Sequence, residues 1–123
     1  MPGPRVLILE DEPLIAMLAQ DWLDELGYEA IGPAHSLSQA FSLIESEKPE
    51  AAILDVSIGS ADSFSVADEL KALNVPFAFA TGRYEREIVK HHADVPILEK
   101  PYDVDAVKLV LHKLLPHAGR SPE

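Results

Sequence analysis

Short apolar runs alternate along the chain with longer segments in which apolar residues recur at helical spacing. The runs are rich in Val, Ile, Leu and Ala and do not alternate with polar residues, which is typical of strands buried on both faces of a sheet. They predict five strands, at residues 5–9, 28–34, 51–56, 76–80 and 95–98. Such alternation of strands and helices favours a parallel sheet with helices on both faces, joined by right-handed crossovers.

The first segment of helical spacing has recognisable ends. Pro13 suits the first turn of a helix and Gly27 suits its end, so these residues bound the first predicted helix. The apolar stripe of this helix, which we expect to face the sheet, consists of Leu14, Ile15, Leu18, Trp22, Leu23 and Leu26.

Further helices follow the later strands. Ser36 and Gln39 form a capping-box pattern that opens a second helix, which must end before Pro49. Its expected inward residues are Ala40, Phe41 and Ile44. The residues after the third strand are expected to form a loop, and the remaining helices are predicted from Asp62 or Ser63 onward, over 84–92 and over 104–115.

Composition limits the class of protein. The chain has 123 residues, enough for one domain that buries roughly two-thirds of its unfolded surface. It has 10 Lys and Arg against 21 Asp and Glu, a formal net charge of −11, which argues against binding to DNA or to an anionic membrane surface. With no cysteine, no apolar run of membrane-spanning length and no signal-peptide pattern, we expect a cytoplasmic protein.

Polar side chains follow four of the five predicted strands. They are Glu10 and Asp11 after the first strand, Asp55 at the end of the third, Thr81 after the fourth and Lys100 after the fifth. Each residue alone has a structural explanation, such as a helix cap or a partner of a helix dipole. Because the carboxyl ends of parallel strands meet at one edge of the sheet, their coincidence favours a functional site.

This set of side chains predicts metal-assisted phosphoryl chemistry. Two unit charges 4 Å apart repel by about 4 kcal/mol at an effective dielectric constant of 20, so three converging carboxylates call for a cation. Mg²⁺ suits such a group, because it takes one or two protein carboxylates together with waters and phosphate oxygens. Asp55 is the natural nucleophile, whereas Thr81 and Lys100 can hold the oxygens of a phosphoryl group.

Over residues 5–116, approximately, this pattern resembles the receiver domain of two-component response regulators. The resemblance implies a flavodoxin-like, doubly wound, five-stranded parallel sheet with helices on both faces. It also implies a single receiver domain over 1–123, with a frayed tail at 117–123 and no output domain. A histidine kinase or histidine phosphotransferase would be the phosphoryl donor, Mg²⁺ the cofactor, and a downstream protein the recipient of the signal.

The resemblance assigns a role to each residue of the predicted site. Asp55 would accept the phosphoryl group and would bind Mg²⁺ directly, together with Asp11. Glu10 would act on the cation through water, and Ser57 would contribute its backbone carbonyl. Thr81 and Lys100 would hold the phosphoryl oxygens, and the bond between Lys100 and Pro101 is expected to be cis.

The segment PFAFATGRY, residues 76–84, resembles the signature of the FAT GUY receivers, which implies a general stress pathway. Other positions depart from the common receiver pattern. Gly59 replaces a frequent proline, Arg83 borders the site at a variable position, and Ile97 stands where a switch aromatic is usual. Tyr84 or Tyr102 is the candidate replacement for that aromatic.

The leading hypothesis is a stand-alone response regulator that is not a turnover enzyme. The alternatives are a phosphorelay intermediate, a phosphate sink or, because of Ile97, a docking pseudoreceiver that works without phosphorylation. A haloacid-dehalogenase-like phosphatase needs a nucleophilic aspartate after the first strand and a second two residues later, and LEDEP lacks this pattern. A flavodoxin-like flavin binder needs a phosphate loop rich in Ser, Thr or Gly, where this chain has acids.

Overall fold

From the first strand to the third, strands and helices alternate along the chain, as the sequence predicts. The computed structural model describes residues 3–82 and 94–116. In these ranges the chain forms β1 (Arg5–Leu9), α1 (Pro13–Glu25), β2 (Glu29–Ala34), α2 (Leu37–Glu47), β3 (Ala51–Asp55), β4 (Ser57–Ile58), β5 (Ala61–Asp62), α3 (Phe64–Ala72), β6 (Phe77–Thr81), β7 (Ile97–Glu99) and α4 (Val104–Leu114). The helix predicted at 84–92 and the tail predicted at 117–123 lie outside the described residues.

The main sheet has five parallel strands in the order β2-β1-β3-β6-β7. After β1 the chain adds β2 on one side and then crosses to β3 on the other, so the strand order reverses between β1 and β3. Such a reversal opens a crevice at the carboxyl ends of the two strands, where ligands bind in doubly wound sheets. This order is that of the predicted flavodoxin-like fold.

The sheet separates two apolar cores. In β1, Leu7 and Leu9 belong to the core under α2 and α3, whereas Val6 and Ile8 belong to the core under α1 and α4. All four side chains are at most 1% exposed. Burial on both faces explains why the strand sequences are apolar without alternation.

The side chains of α1 that face the sheet are smaller than those that the apolar stripe predicts. The buried residues are Ala16, Ala19 and Leu23, whereas Leu14 is 60% exposed and Leu18 is 37% exposed. The buried residues recur at i, i+3 and i+7 and so form one face of the helix, and Leu14 and Leu18 lie outside that face. The inward assignment of Leu14 and Leu18 is therefore wrong, and α1 carries apolar side chains on its surface.

The ends of α2 follow the predicted capping pattern. Ser36 Oγ accepts a hydrogen bond from the Gln39 backbone N–H at 3.1 Å, and the helix ends at Glu47, before Pro49. Gln39 Oε1 bonds to the N–H of His35 rather than to that of the cap residue. Phe41, expected to face inward, is 38% exposed, which corrects that assignment.

A small antiparallel hairpin replaces the loop expected after the third strand. Strands β4 and β5 pair Ser57 with Asp62 and Ile58 with Ala61. Helix α3 then begins at Phe64, and Asp62 Oδ1 accepts the Phe64 N–H at 3.0 Å. The hairpin follows the carboxyl end of β3 and so borders the crevice in the sheet.

None of the helices within the described ranges is long and apolar enough to cross a membrane.

Candidate functional site

Three carboxylates meet at the carboxyl ends of β1 and β3. Glu10 and Asp11 follow β1, and Asp55 is the last residue of β3. The strands pair in parallel, with Leu9 opposite Leu54, so the residues that follow lie at the same edge. One oxygen of each carboxylate lies within 4.8 Å of the others. The predicted convergence of the three acids is confirmed.

Lys100 lies against the buried part of this acid cluster. Its Nζ donates a hydrogen bond to Asp55 Oδ2 at 2.9 Å and lies 3.2 Å from Glu10 Oε1. The Lys100 backbone N–H bonds to the Thr81 carbonyl at 2.9 Å, which ties the end of β7 to the end of β6. The bond between Lys100 and Pro101 is cis, as expected.

The surroundings of Asp55 change its acidity. Burial raises the pKa of Asp55 to about 7, the hydrogen bond from Lys100 acts to lower it, and Glu10 adds to the increase. For Lys100, burial acts to lower the pKa, but the bond and charge of Asp55 together with Glu10 outweigh it, so the pKa is raised. Lys100 therefore stays charged at neutral pH, and the Asp55 carboxyl is a weaker acid than an exposed aspartate.

The acid cluster has the donor set of a hard divalent cation. It offers carboxylate oxygens only, which Mg²⁺ prefers to nitrogen or sulfur ligands. Glu10 is 2% exposed, and its Oε1 makes no hydrogen bond among the described residues despite its distance of 3.2 Å from Lys100 Nζ. A buried oxygen of this kind suits a cation or a water that a cation holds. The residues present therefore fit Mg²⁺.

Thr81 and Ser57 occupy positions around Asp55. Thr81 is fully buried at the end of β6, and its Oγ1 donates a hydrogen bond to the Gly82 carbonyl at 3.0 Å. To donate to a phosphoryl oxygen, this hydroxyl would have to leave Gly82. Ser57 lies on β4, two residues after Asp55.

The candidate switch residues differ in their surroundings. Arg83 and Tyr84 lie outside the described residues. Ile97 is half-buried on β7 and packs against the core under α2 and α3. The ring of Tyr102 contacts Trp22 edge to face, with ring centroids 6.0 Å apart. Burial raises the pKa of Tyr102 to about 12, and the charge of Glu10 adds to the increase, so this ring is within the field of the acid cluster.

Two contacts in the site were not anticipated from the sequence. The backbone N–H of Gly59, at the tip of the β4–β5 hairpin, donates to Asp11 Oδ2 at 2.7 Å. His35 Nδ1 lies 3.0 Å from the Glu10 carbonyl oxygen. Each contact joins residues more than 20 positions apart, and neither residue belongs to a motif that signals it. The loop expected around Gly59 did not indicate the partner of its amide.

Comparisons with known proteins agree with this geometry. The family model described as the response regulator receiver domain matches residues 6–112. The transcriptional regulatory protein PdtaR of Mycobacterium tuberculosis is 35% identical over 104 residues, which cover 81% of this chain and 51% of PdtaR. The phyllosphere-induced regulator PhyR of Methylorubrum extorquens is 33% identical over 115 residues, which cover 90% of this chain and 43% of PhyR.

A solved structure shows the same architecture. The solution structure of SdrG from Sphingomonas melonis Fr1 has a TM-score of 0.83 and 38% sequence identity, covering 94% of this chain and 98% of SdrG. This chain spans about half the length of the curated relatives named above. The family model, by contrast, extends over most of the chain, from β1 into α4. The chain belongs to the response regulator receiver domain family.

Proposed function

We propose that this protein is a response regulator whose receiver domain accepts a phosphoryl group on Asp55 and then changes its contacts with a downstream protein. One observation carries the proposal: the Asp55 carboxylate lies 2.9 Å from Lys100 Nζ, in one cluster with Glu10 and Asp11. Asp55 can act as the nucleophile, Lys100 supplies a fixed positive charge, and the acids beside them fit a cation. This combination supports phosphoryl transfer. The donor is a histidine kinase or a histidine phosphotransferase.

In the proposed reaction, a carboxylate oxygen of Asp55 forms a bond to phosphorus as the phosphorus–nitrogen bond of phosphohistidine breaks. The electron pair of that bond leaves with the imidazole nitrogen, and the product is an aspartyl phosphate. The Lys100 ammonium balances the charge that spreads over the phosphoryl oxygens. Thr81 exchanges its bond to Gly82 for one of these oxygens.

Asp11 and Asp55 would hold Mg²⁺ directly, with Glu10 acting through water and Ser57 through its carbonyl. When bound, the cation neutralises acidic oxygens and orients the phosphoryl group. The protein itself positions the nucleophile: Asp55 is buried, and the hydrogen bond from Lys100 orients its Oδ2. The protein modifies itself once per cycle, so we do not propose a turnover enzyme.

The surface beside the site supports docking of a helical phosphohistidine protein. On α1, Leu14 is 60% exposed and Met17 is 52% exposed, directly after the acidic loop. A cavity of about 300 Å³ continues this surface toward Lys100, lined by Ile15, Leu18, Trp22, Lys100, Pro101 and Tyr102. We expect Leu18→Glu to slow transfer from a histidine phosphotransferase and to leave transfer from acetyl phosphate unchanged.

We assign the protein to a general stress pathway, on the resemblance of PFAFATGRY to the FAT GUY signature. Five of these residues, Phe77 to Thr81, form the fully buried strand β6, which ends at Thr81. This assignment predicts that phosphorylation in cells rises under general stress. Its measurement is the fraction of phosphorylated protein, read by Phos-tag electrophoresis before and after osmotic or heat stress.

The test of the proposed chemistry is incubation with acetyl phosphate and Mg²⁺, followed by intact-mass measurement. We expect one phosphoryl adduct in the native protein and none in Asp55→Asn. Asp68→Asn is the matched control, because Asp68 is an exposed acid on α3, and it should carry the adduct. An adduct of unchanged stoichiometry in Asp55→Asn would reject Asp55 as the acceptor.

A further inference from the structure

The β4–β5 hairpin is joined to the acid cluster by one backbone hydrogen bond. Its two-residue loop consists of Gly59 and Ser60, both exposed, between Ile58 and Ala61. The Gly59 N–H donates to Asp11 Oδ2 at 2.7 Å, between residues 48 positions apart in the chain. Bonds from an N–H to an ionised carboxylate are about twice as strong as bonds between neutral groups.

The hairpin is suited to hold this donor in place. Ile58 is 6% exposed and belongs to the core under α2 and α3, so one side of the hairpin is anchored. Gly59 has a φ of +62°, a left-handed conformation that glycine adopts without strain. A Cβ built on Gly59 meets no atom within 4 Å. The glycine is therefore required for the conformation of the backbone and not for lack of space.

Asp11 differs from the other two acids in what restrains it. Glu10 and Asp55 are buried, and both lie close to the ammonium of Lys100. Asp11 is exposed, and the bond from Gly59 is the contact that orients its carboxylate in the described part of the chain. A carboxylate has two oxygens and about four lone-pair positions, so this bond leaves capacity for a cation.

We propose that Gly59 is a positioning residue for the divalent cation: its amide fixes the Asp11 carboxylate in the orientation that completes the site with Glu10 and Asp55. This inference rests on the proposed function only in assuming that the acid cluster binds Mg²⁺. Partners that orient a ligand typically change metal affinity by about 10- to 100-fold. If the bond from Gly59 to Asp11 favours cation binding, then by linkage cation binding must favour the bond from Gly59 to Asp11 by the same factor.

Two substitutions test the amide in its hairpin conformation. Gly59→Pro removes the N–H and also the left-handed conformation, because proline holds φ at about −65°, whereas Gly59→Asn retains the N–H and tolerates that conformation. We expect Gly59→Pro to weaken Mg²⁺ binding by about tenfold and Gly59→Asn to change it less than about twofold. The affinity is measured by NMR titration of the amides of residues 10, 11 and 55, with thermal unfolding as the check that each variant folds.

A measurement on the native protein keeps the test decisive if Gly59→Pro does not fold. The exposed Gly59 amide should exchange its hydrogen at least about tenfold more slowly than an unprotected amide, and Mg²⁺ should slow it further. Equal Mg²⁺ affinity in the proline and asparagine variants, or unprotected exchange at Gly59, would overturn this inference and leave the proposed function standing. Absence of any Mg²⁺ binding by the native protein would overturn both.

Discussion

Lys100 Nζ lies 2.9 Å from Asp55 Oδ2, although 45 positions of chain separate the two residues. The ammonium is the group that lowers the pKa of Asp55 against the effects of burial and of Glu10. We therefore expect Lys100→Met to raise the pKa of Asp55 above about 7 and to slow phosphorylation by acetyl phosphate roughly 100-fold, as loss of an oxyanion partner does.

The measurements are the initial rate of adduct formation and a carbon-13 NMR titration of the Asp55 carboxyl. Lys108→Met is the matched control, because Lys108 is exposed on α4, and it should match the native protein in both. A native rate in Lys100→Met would show that the ammonium does not act on the phosphoryl group.

Asp55 also makes stability depend on pH in metal-free buffer. Burial raises its pKa from 3.8 to about 7, so between these values the folded protein binds more protons than the unfolded chain. The contribution of Asp55 to the free energy of unfolding therefore falls as pH rises from about 4 to about 7, and it stays low above that. We expect Asp55→Asn to be more stable than the native protein at pH 8, by on the order of 1 kcal/mol.

The free energy of unfolding of both proteins is measured by denaturant unfolding at pH 5 and pH 8, in buffer that contains a chelator. The difference between them isolates Asp55 from the other acidic groups, whose effects on stability are common to both. If the acid cluster binds Mg²⁺ as proposed, the cation should remove much of the difference at pH 8, because it would bind the folded native protein and not the unfolded chain. A variant less stable than the native protein at pH 8 would contradict the destabilising effect of burying an ionised Asp55 beside Glu10.

The position of the acid cluster could be predicted from the sequence, because the end of each buried strand marks the edge of the sheet. Val6 to Leu9 have to be buried on both faces, so the next polar residue, Glu10, marks the edge of the sheet. The same argument places Asp55 and Thr81 at the ends of β3 and β6. The parallel order then brings these ends together without any knowledge of side-chain packing.

The rest depended on packing between residues distant in the chain. Leu14 and Ala16 are both apolar but lie on different faces of α1, and contacts with residues distant in the chain decide that the face of the alanine is buried and that of the leucine exposed. The bond between Gly59 and Asp11 depends on a hairpin of four paired residues, too short for a hydrophobic pattern to indicate. Where apolar residues lie on more than one face of a helix, as in α1, periodicity alone does not decide which face is buried.

The contact between Trp22 and Tyr102 provides an optical probe of α1 and the end of β7. Trp22 is the single tryptophan of the chain, and its ring lies edge to face with that of Tyr102. We expect Tyr102→Ala to lower the free energy of unfolding by about 1–3 kcal/mol, since edge-to-face pairs contribute about 0.5–1.5 kcal/mol beyond area burial. The emission of Trp22 should shift to longer wavelength as water reaches the ring.

Tyr102→Phe is the control, since it retains the ring and removes only the hydroxyl. It should keep the native emission and change stability by less than about 0.5 kcal/mol. If Tyr102→Phe behaved like Tyr102→Ala, the hydroxyl and not the ring contact would stabilise this part of the protein.

The signal is expected to leave the domain through Thr81 rather than through Ile97. Ile97 is stiff at χ1 and half-buried against the core, so it is poorly suited to alternate between two positions. Thr81 Oγ1 donates to the Gly82 carbonyl, and a phosphoryl oxygen would compete for that proton. We expect beryllofluoride with Mg²⁺, a phosphoryl mimic, to change hydrogen exchange at Gly82 and in the segment that follows it.

Three variants separate this route from its alternatives. Thr81→Ala should abolish the change in exchange after Gly82, whereas Thr81→Ser, which retains a hydroxyl, should preserve it. Ile97→Ala should lower the free energy of unfolding by about 1–2 kcal/mol and leave the change intact, because Ile97 is half-buried and its side chain only packs. If exchange in the native protein changed only at residues 10–13 and 55–60, phosphorylation would not reach a switch surface at Gly82. The protein would then act as a phosphate sink or relay, in which the aspartyl phosphate itself is the product.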